Sequence, residues 1–116
     1  MPEDFFPTRP SNPPIIYAYE DTNPIYHGLL KIGYTKGKSA LDRVSRQYPT
    51  KRPGPSPFRI VLEEDAVKED GSVFLDHEVH RLLREIGIDN PEGEWFKCSK
   101  ETVLSALHSI KKGERL

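Results

Sequence analysis

The apolar residues of the chain form short β-branched and aromatic runs in its first half and recur at helical spacing in its second half. Such runs between turn residues are typical of strands, and three of them cover residues 15–19, 29–34 and 58–62. Asn23, Pro24 and Gly28 lie between the first two runs, so we expect these two strands to pair as an antiparallel hairpin. Residues 94–98 predict a further short strand or edge segment.

Three segments predict helices, each preceded by a serine that can cap the first turn. The first runs from Ser39 to Tyr48, the second follows Ser72 and ends near Gly87, and the third follows Ser99. The apolar stripes that we expect to be buried are Leu75, Val79, Leu82 and Ile86 in the second helix and Val103, Leu104, Leu107 and Ile110 in the third.

The length of 116 residues suits one domain with a single modest core. Residues 1–14 hold five of the eleven prolines, and we expect them to form an extended arm before a folded domain over residues 15–112. No apolar run is long enough to cross a bilayer, and no signal-peptide pattern precedes the first strand. We therefore expect a cytoplasmic protein that does not bind membranes. Cys98 is the only cysteine, which excludes an internal disulfide and a cysteine-based zinc cluster.

The charge of the chain is unevenly distributed, although the net charge is only −1. Residues 31–52 carry seven basic side chains and a single acid, while residues 63–70 carry five acids and a single base. The basic stretch is a candidate phosphate-binding surface, and it is equally compatible with a solvated face. Its candidate nucleic-acid-binding residues are Lys36, Lys38, Arg46, Lys51 and Arg52.

Asp76 and His80 lie four residues apart in the second predicted helix and therefore share one of its faces. A carboxylate at this place can bind a divalent metal, and an imidazole can contact phosphate or move a proton. The pair can also form a local helix contact that binds nothing, which is the commoner case for an isolated pair at this spacing. Glu78 lies elsewhere on this helix, where we expect a solvated surface.

Arg43 lies early in the first predicted helix, just after a loop of glycine and lysine. A guanidinium at this position can bind a phosphate in a bidentate manner, and Arg46 is its nearest alternative. Both arginines are also compatible with an exposed helix surface. Tyr17 and Tyr34 can be ordinary strand aromatics that pack on one face of the sheet.

Five short motifs follow one another in a defined order. They are Ile15-Ile16-Tyr17, Lys31-Ile32-Gly33-Tyr34-Thr35, a helix with Arg43, Leu75-Asp76-His77-Glu78-Val79-His80, and Glu94-Trp95-Phe96. This order resembles the GIY-YIG nuclease superfamily, and more closely its phage and bacterial branch that carries KIGYT in place of YIG. The resemblance covers residues 15–107, and its specificity lies in the ordered set.

The resemblance implies an α/β (α+β) fold with a central three-stranded antiparallel sheet, flanking helices, and an additional C-terminal strand segment and helix. It also implies an endonuclease domain that hydrolyses phosphodiester bonds in DNA with one Mg²⁺ or Mn²⁺ ion. RNA remains open as a target. Because such domains are often appended to larger proteins, a fused helicase or restriction-type domain is an expected partner.

The resemblance assigns a role to each matched residue. Tyr17 matches the tyrosine of the first motif and would orient or deprotonate the attacking water, with cationic neighbours lowering its pKa. Lys31 stands where the second tyrosine would lie. Tyr34 can supply the missing phenol, although strand alternation places it on the opposite face from Lys31 unless the strand is bulged. Arg43 matches the helix arginine, which would stabilise charge on the phosphate.

On the second helix, Asp76 falls at the position of the family's metal-binding glutamate, with Glu78 as the alternative ligand. His80 would carry a proton or contact phosphate. Two other functions remain open: a nucleic-acid-binding module that has kept the fold without catalysis, and a protein-interaction domain in which the motif residues are structural.

Overall fold

The computed structural model describes residues 13–37, 39–50 and 53–113, and it has the predicted α+β class. Its strands are β1 (Ile15–Asp21), β2 (Leu29–Thr35), β3 (Phe58–Asp65) and β4 (Trp95–Lys97), and its helices are α1 (Ala40–Ser45), α2 (Asp76–Glu85) and α3 (Lys100–Lys112). Most of the predicted N-terminal arm lies outside the described residues. Within the described ranges, no helix is long and apolar enough to span a membrane.

The strands form one antiparallel sheet in the order β3-β1-β2-β4. The predicted hairpin is present, and its register runs without interruption from Ile15 opposite Thr35 to Tyr19 opposite Lys31. A short 3-10 helix, Pro24–Tyr26, connects its two strands and is capped by the side chain of Asn23.

The prediction of a three-stranded sheet needs one correction. The segment that was expected as an addition is β4, and it pairs with the edge of β2 as a fourth strand. This pairing satisfies backbone groups on an edge that β1 leaves free. Because β4 is short, its register covers only Leu29, Leu30 and Lys31 of β2.

The two faces of the sheet are covered by different helices. One face packs against α2 and α3 in the larger core, which includes Ile16, Ile32, Leu83, Phe96 and Leu107. The other face forms a smaller aromatic core with α1, built from Tyr17, Tyr19, Ala40 and Val44. Cys98 is half-buried beside the larger core, and burial raises the pKa of its thiol.

The predicted serine caps hold at two helices and fail at the third. Ser39 and Ser99 accept hydrogen bonds from the backbone amides of Asp42 and Thr102, at 3.1 and 3.3 Å. Ser72 instead donates to Asp70 within a turn, and Val73 forms an isolated bridge with Val67. The chain is therefore still extended after Ser72, and α2 begins only at Asp76.

This late start also corrects the predicted apolar stripe of α2. Leu75 precedes the helix and is 47% exposed, and Ile86 follows it and is 37% exposed. The residues that α2 buries are Asp76, Val79, His80, Leu82 and Leu83. Two polar residues therefore occupy the buried face of this helix, at the end that lies nearest the site described below.

Candidate functional site

A cleft of about 730 Å³ collects most of the residues that the motifs predict. It is lined by Tyr17, Lys31, Tyr34, Arg43, Arg46 and Asp76, together with residues that the motifs did not assign to the site. Tyr17 and Lys31 come from adjacent strands, the two arginines from α1 and the turn after it, and Asp76 from the first turn of α2. The site is therefore assembled from four separate elements.

Lys31 and Tyr34 lie on opposite faces of β2, as strand alternation requires, and the pairing of β1 with β2 contains no bulge. Both side chains nevertheless line the cleft. The reason is that β4 ends opposite Lys31, so that Gly33, Tyr34 and Thr35 have no strand partner on this side within the described part of the chain. Side chains from both faces of the sheet can meet around this uncovered edge.

Tyr17 lies directly opposite Gly33, and its side chain passes over that glycine. The residue is almost entirely buried in the smaller aromatic core. Burial raises the pKa of the Tyr17 phenol above its ordinary value of 10, although hydrogen bonding and the positive charge of Arg43 act in the opposite direction. Tyr17 is therefore protonated at neutral pH.

Gln47 connects the polar groups on this side of the cleft, and no motif predicted it. Its Oε1 accepts hydrogen bonds from the Tyr19 hydroxyl at 2.8 Å and from the Lys31 ammonium. Its side chain also interacts with the phenol of Tyr17. The turn after α1 therefore holds Lys31 beside Tyr17, at the place where the resemblance expects a second tyrosine.

Asp76 and His80 lie next to each other, but they have different surroundings. Asp76 is largely buried and lines the cleft, whereas Nε2 of His80 hydrogen-bonds to the backbone carbonyl oxygen of Ile32 at 2.8 Å. A carbonyl oxygen only accepts, so Nε2 carries a proton. The Nε2 atom also lies 4.0 Å from the Asp76 carboxylate. His80 therefore joins α2 to β2, and any proton transfer by its other nitrogen stays a prediction.

Glu78, the alternative metal ligand, lies away from the cleft lining. Its carboxylate pairs with the Lys68 ammonium at 3.6 Å. Of the two acids, only Asp76 therefore lines the cleft.

The loop before β4 and the first residue of β4 supply cleft residues that sequence reasoning did not assign. Glu92, Glu94 and Trp95 line the cleft. Asn90 holds this loop, because its side-chain amide donates to the backbone oxygens of Gly93 and Trp95 at 2.9 and 2.7 Å. The Glu94-Trp95-Phe96 motif was the available signal, but only the position of β4 shows that it reaches the site.

The basic residues of 31–52 divide into two groups. Arg46 lines the cleft with Arg43, whereas Lys36 is exposed in the bend after β2 and outside the cleft lining. Lys38, Lys51 and Arg52 lie outside the described residues.

The acidic residues of the cleft can be compared with the ligands that a magnesium ion needs. Within the described ranges, no group of three or more His, Cys, Asp and Glu side chains could hold a metal. Mg²⁺ commonly binds one or two carboxylates and completes its coordination with water and substrate phosphate. Asp76 fits this requirement, because it lines the cleft and its ion-pair partner within the described residues is His80, not a lysine or arginine.

The fold and the cleft define an α+β domain in which cations, a phenol and a carboxylate face a common space. Residues 15–111 match the T5orf172 domain family. The chain belongs to this family, which is associated with GIY-YIG-like and homing-endonuclease-type folds and is compatible with a nuclease-like or DNA-binding role. Comparison with curated proteins and with solved structures returns no match.

Proposed function

We propose that this chain is a GIY-YIG-type endonuclease domain of the KIGYT branch, which hydrolyses phosphodiester bonds in DNA with a divalent metal ion. This proposal rests on one observation: a single cleft is lined by Tyr17, Lys31, Arg43 and Asp76. These residues come from four elements, and their polar groups match the needs of phosphoryl transfer: cations for the phosphate, a carboxylate for a metal, and a hydroxyl for the nucleophile.

The two cations would bind the scissile phosphate and stabilise the charge that develops on it. Arg43 is exposed on α1 and lines the cleft, so its guanidinium can reach a substrate. Lys31 is held by Gln47 and lies 5.9 Å from the centre of the Tyr19 ring, which limits the positions of its ammonium. We assign charge stabilisation to Arg43 and phosphate positioning to Lys31.

Tyr17 would orient the attacking water without accepting its proton. Burial raises its pKa above the ordinary value, so the phenol keeps its proton at pH 7. A neutral phenol can donate a hydrogen bond to water or to a phosphate oxygen. Of the two roles that the resemblance implies for Tyr17, orientation of water is therefore the one that its surroundings support.

Asp76 would hold a Mg²⁺ or Mn²⁺ ion, which when bound supplies Lewis-acid stabilisation of the phosphate and the leaving group. His80 would keep the Asp76 end of α2 at the correct distance from β2 through its bond to Ile32. Tyr34 lies on the Asp76 side of the cleft edge and can donate a hydrogen bond to the substrate.

The test is cleavage of supercoiled plasmid by the purified chain with Mg²⁺ or Mn²⁺. We expect Asp76→Asn and Arg43→Ala each to lower the rate at least about 100-fold, in line with the loss of one charge-stabilising group. Two matched variants serve as controls: Glu78→Gln changes the α2 acid outside the cleft, and Arg59→Ala removes an arginine that pairs with Glu20. Equal loss in Asp76→Asn and Glu78→Gln would contradict the assignment of Asp76.

A nucleic-acid-binding module without catalysis is the second candidate. Lys31, Arg43 and Arg46 line the cleft and can bind phosphates without any contribution from Asp76. This candidate predicts DNA binding that weakens steeply with salt, with a slope that falls by about one unit for each cation removed, and no metal-dependent product. The same titration with an RNA strand would show whether the target is DNA or RNA.

We also propose that a fused helicase or restriction-type domain delivers this chain to DNA. The net charge of −1 supports this, because the chain has little overall attraction for a polyanion. The cytoplasmic location stays a prediction.

A further inference from the structure

Trp95 lines the cleft and has a second aromatic ring stacked on it. Tyr26, at the end of the 3-10 helix between β1 and β2, stacks on Trp95 with ring centroids 5.0 Å apart and ring planes at 30°. Trp95 lies directly opposite Lys31 in the register of β2 and β4. Opposed residues of antiparallel strands share a face of the sheet. The indole therefore lies beside the Lys31 side chain and forms part of the wall of the cleft.

Packing of the core does not account for the position of Tyr26. Trp95 packs against the smaller aromatic core, whereas Tyr26 belongs to neither of the two cores. The adjacent Ile25 is 77% exposed, the largest exposure among the big apolar side chains of the described residues. Tyr26 also borders a second hollow of about 340 Å³ that reaches His27 and Arg59. The Tyr26 ring is thus stacked on Trp95 and borders this hollow, which Trp95 does not line and which a planar group can enter.

The charges around Tyr26 and Trp95 favour the binding of one nucleic-acid backbone over two. Lys31, Arg43 and Arg46 line the cleft from β2 and from α1 and its following turn, whereas the loop that leads to Trp95 places Glu92 and Glu94 at the cleft. A continuous duplex brings a second phosphate backbone close to the first, and carboxylates repel it. A single backbone can follow the cations and avoid the acids.

We propose that Tyr26 and Trp95 form a subsite for an unpaired nucleobase, so that the substrate is DNA with a single-stranded or extruded nucleotide beside the scissile phosphate. This inference rests on the proposed function. Bases inside a duplex are stacked on each other and reach a protein aromatic only after unstacking, which is easiest for a base that is already unpaired. Stacking on an aromatic side chain then replaces the contacts with neighbouring bases.

The experiment uses the fluorescence of Trp95, the only tryptophan of the chain. Two DNA hairpins are titrated into the protein in the presence of a chelator, so that nothing is cleaved. One hairpin carries a single bulged thymidine, and the other carries an abasic residue at that position, with the same number of phosphates. We expect quenching by the first hairpin and an affinity about 5- to 100-fold higher than for the abasic one.

Variants of Tyr26 test the subsite itself. Tyr26→Ala should bring the ratio of the two affinities close to one, and Tyr26→Phe should preserve it because the ring remains. Ile25→Ser is the matched control, since it changes an exposed neighbour on the same short helix, and it should leave the ratio unchanged.

Three results would overturn the inference. Equal affinities in the parent protein, or a ratio that Tyr26→Ala does not change, would show that no base stacks here, while salt-dependent binding of both hairpins would leave the proposed function intact. If neither hairpin bound at low salt, the proposed function and the subsite would fall together.

Discussion

The hydroxyl oxygen of Tyr17 lies 2.5 Å from the position that a Cβ atom on Gly33 would occupy. The Cζ and Cε1 atoms of the same ring lie 2.6 and 2.9 Å from that position. No side chain fits at these distances without displacing the ring. The glycine of the second motif and the tyrosine of the first motif are therefore one structural unit: the absence of a side chain on β2 lets the phenol of β1 reach the cleft.

Gly33→Ala should move the Tyr17 ring and lower cleavage while the fold persists. The added methyl overlaps a buried ring, so we expect a loss of about 1–3 kcal/mol in the free energy of unfolding, measured by urea denaturation. In a Tyr17→Leu background the overlapping ring atoms are absent, and the same substitution should cost almost nothing, because alanine is preferred to glycine within a strand. Equal costs in the two backgrounds would contradict the contact.

Gln47→Leu should lower the turnover of bound DNA more than the affinity for DNA. The substitution removes the acceptor shared by the Tyr19 hydroxyl and the Lys31 ammonium, and we expect kcat to fall about 10-fold or more. Gln47→Glu keeps an acceptor but adds a negative charge, so it should retain most of kcat and weaken DNA binding. Steady-state kinetics and a binding titration separate the two effects, and an identical profile for both variants would show that Gln47 does not position Lys31.

The stability of the chain should fall steeply at alkaline pH. Burial raises the pKa of Tyr19 to about 12, so the folded state keeps this proton after the unfolded chain has lost it near pH 10. The stabilisation is complete below pH 10 and is lost as the pH rises from 10 to 12, by up to about 1.4 kcal/mol per pH unit. Urea denaturation between pH 7 and 11 should show this fall, and Tyr19→Phe should make it shallower, while the phenols of Tyr17 and Tyr48, whose pKa values burial also raises, keep part of it. A Tyr19→Phe profile parallel to that of the parent would contradict the assignment.

Asn90→Ala should loosen the loop that carries Glu92 and Glu94 and leads to Trp95. The substitution leaves the backbone oxygens of Gly93 and Trp95 without their donors, and we expect a loss of about 1–3 kcal/mol in unfolding free energy together with a shift of the Trp95 emission. Arg84→Ala is the control, because it removes only a 3.2 Å contact between Arg84 and Asn90 at the surface. A larger effect of Arg84→Ala would argue against Asn90 as the residue that holds the loop.

The hydrophobic pattern predicted the strands and helices because their local signals agree with the fold. The caps at Ser39 and Ser99 and the hairpin are of this kind. The start of α2 was predicted wrongly, since Ser72 has the chemistry of a cap but is engaged with Asp70 in a turn. The short strand at residues 94–98 was predicted, but its place as the fourth strand of the sheet was not, because the pairing of β4 depends on the free edge of β2, which lies far from it in sequence.

For the candidate site, too, some features could be predicted from local sequence and others depended on the tertiary structure. The sequence by itself determined the identities and order of Tyr17, Lys31, Arg43 and Asp76, because the motifs that carry them are short and local. Only the tertiary structure decided that Asp76 and not Glu78 lines the cleft, and that Gln47 holds Lys31. It likewise decided that Tyr26, in the connection between β1 and β2, stacks on Trp95 of β4. The physical reason is that these contacts join residues on separate elements, and their geometry is set by strand register and burial, which no local pattern encodes.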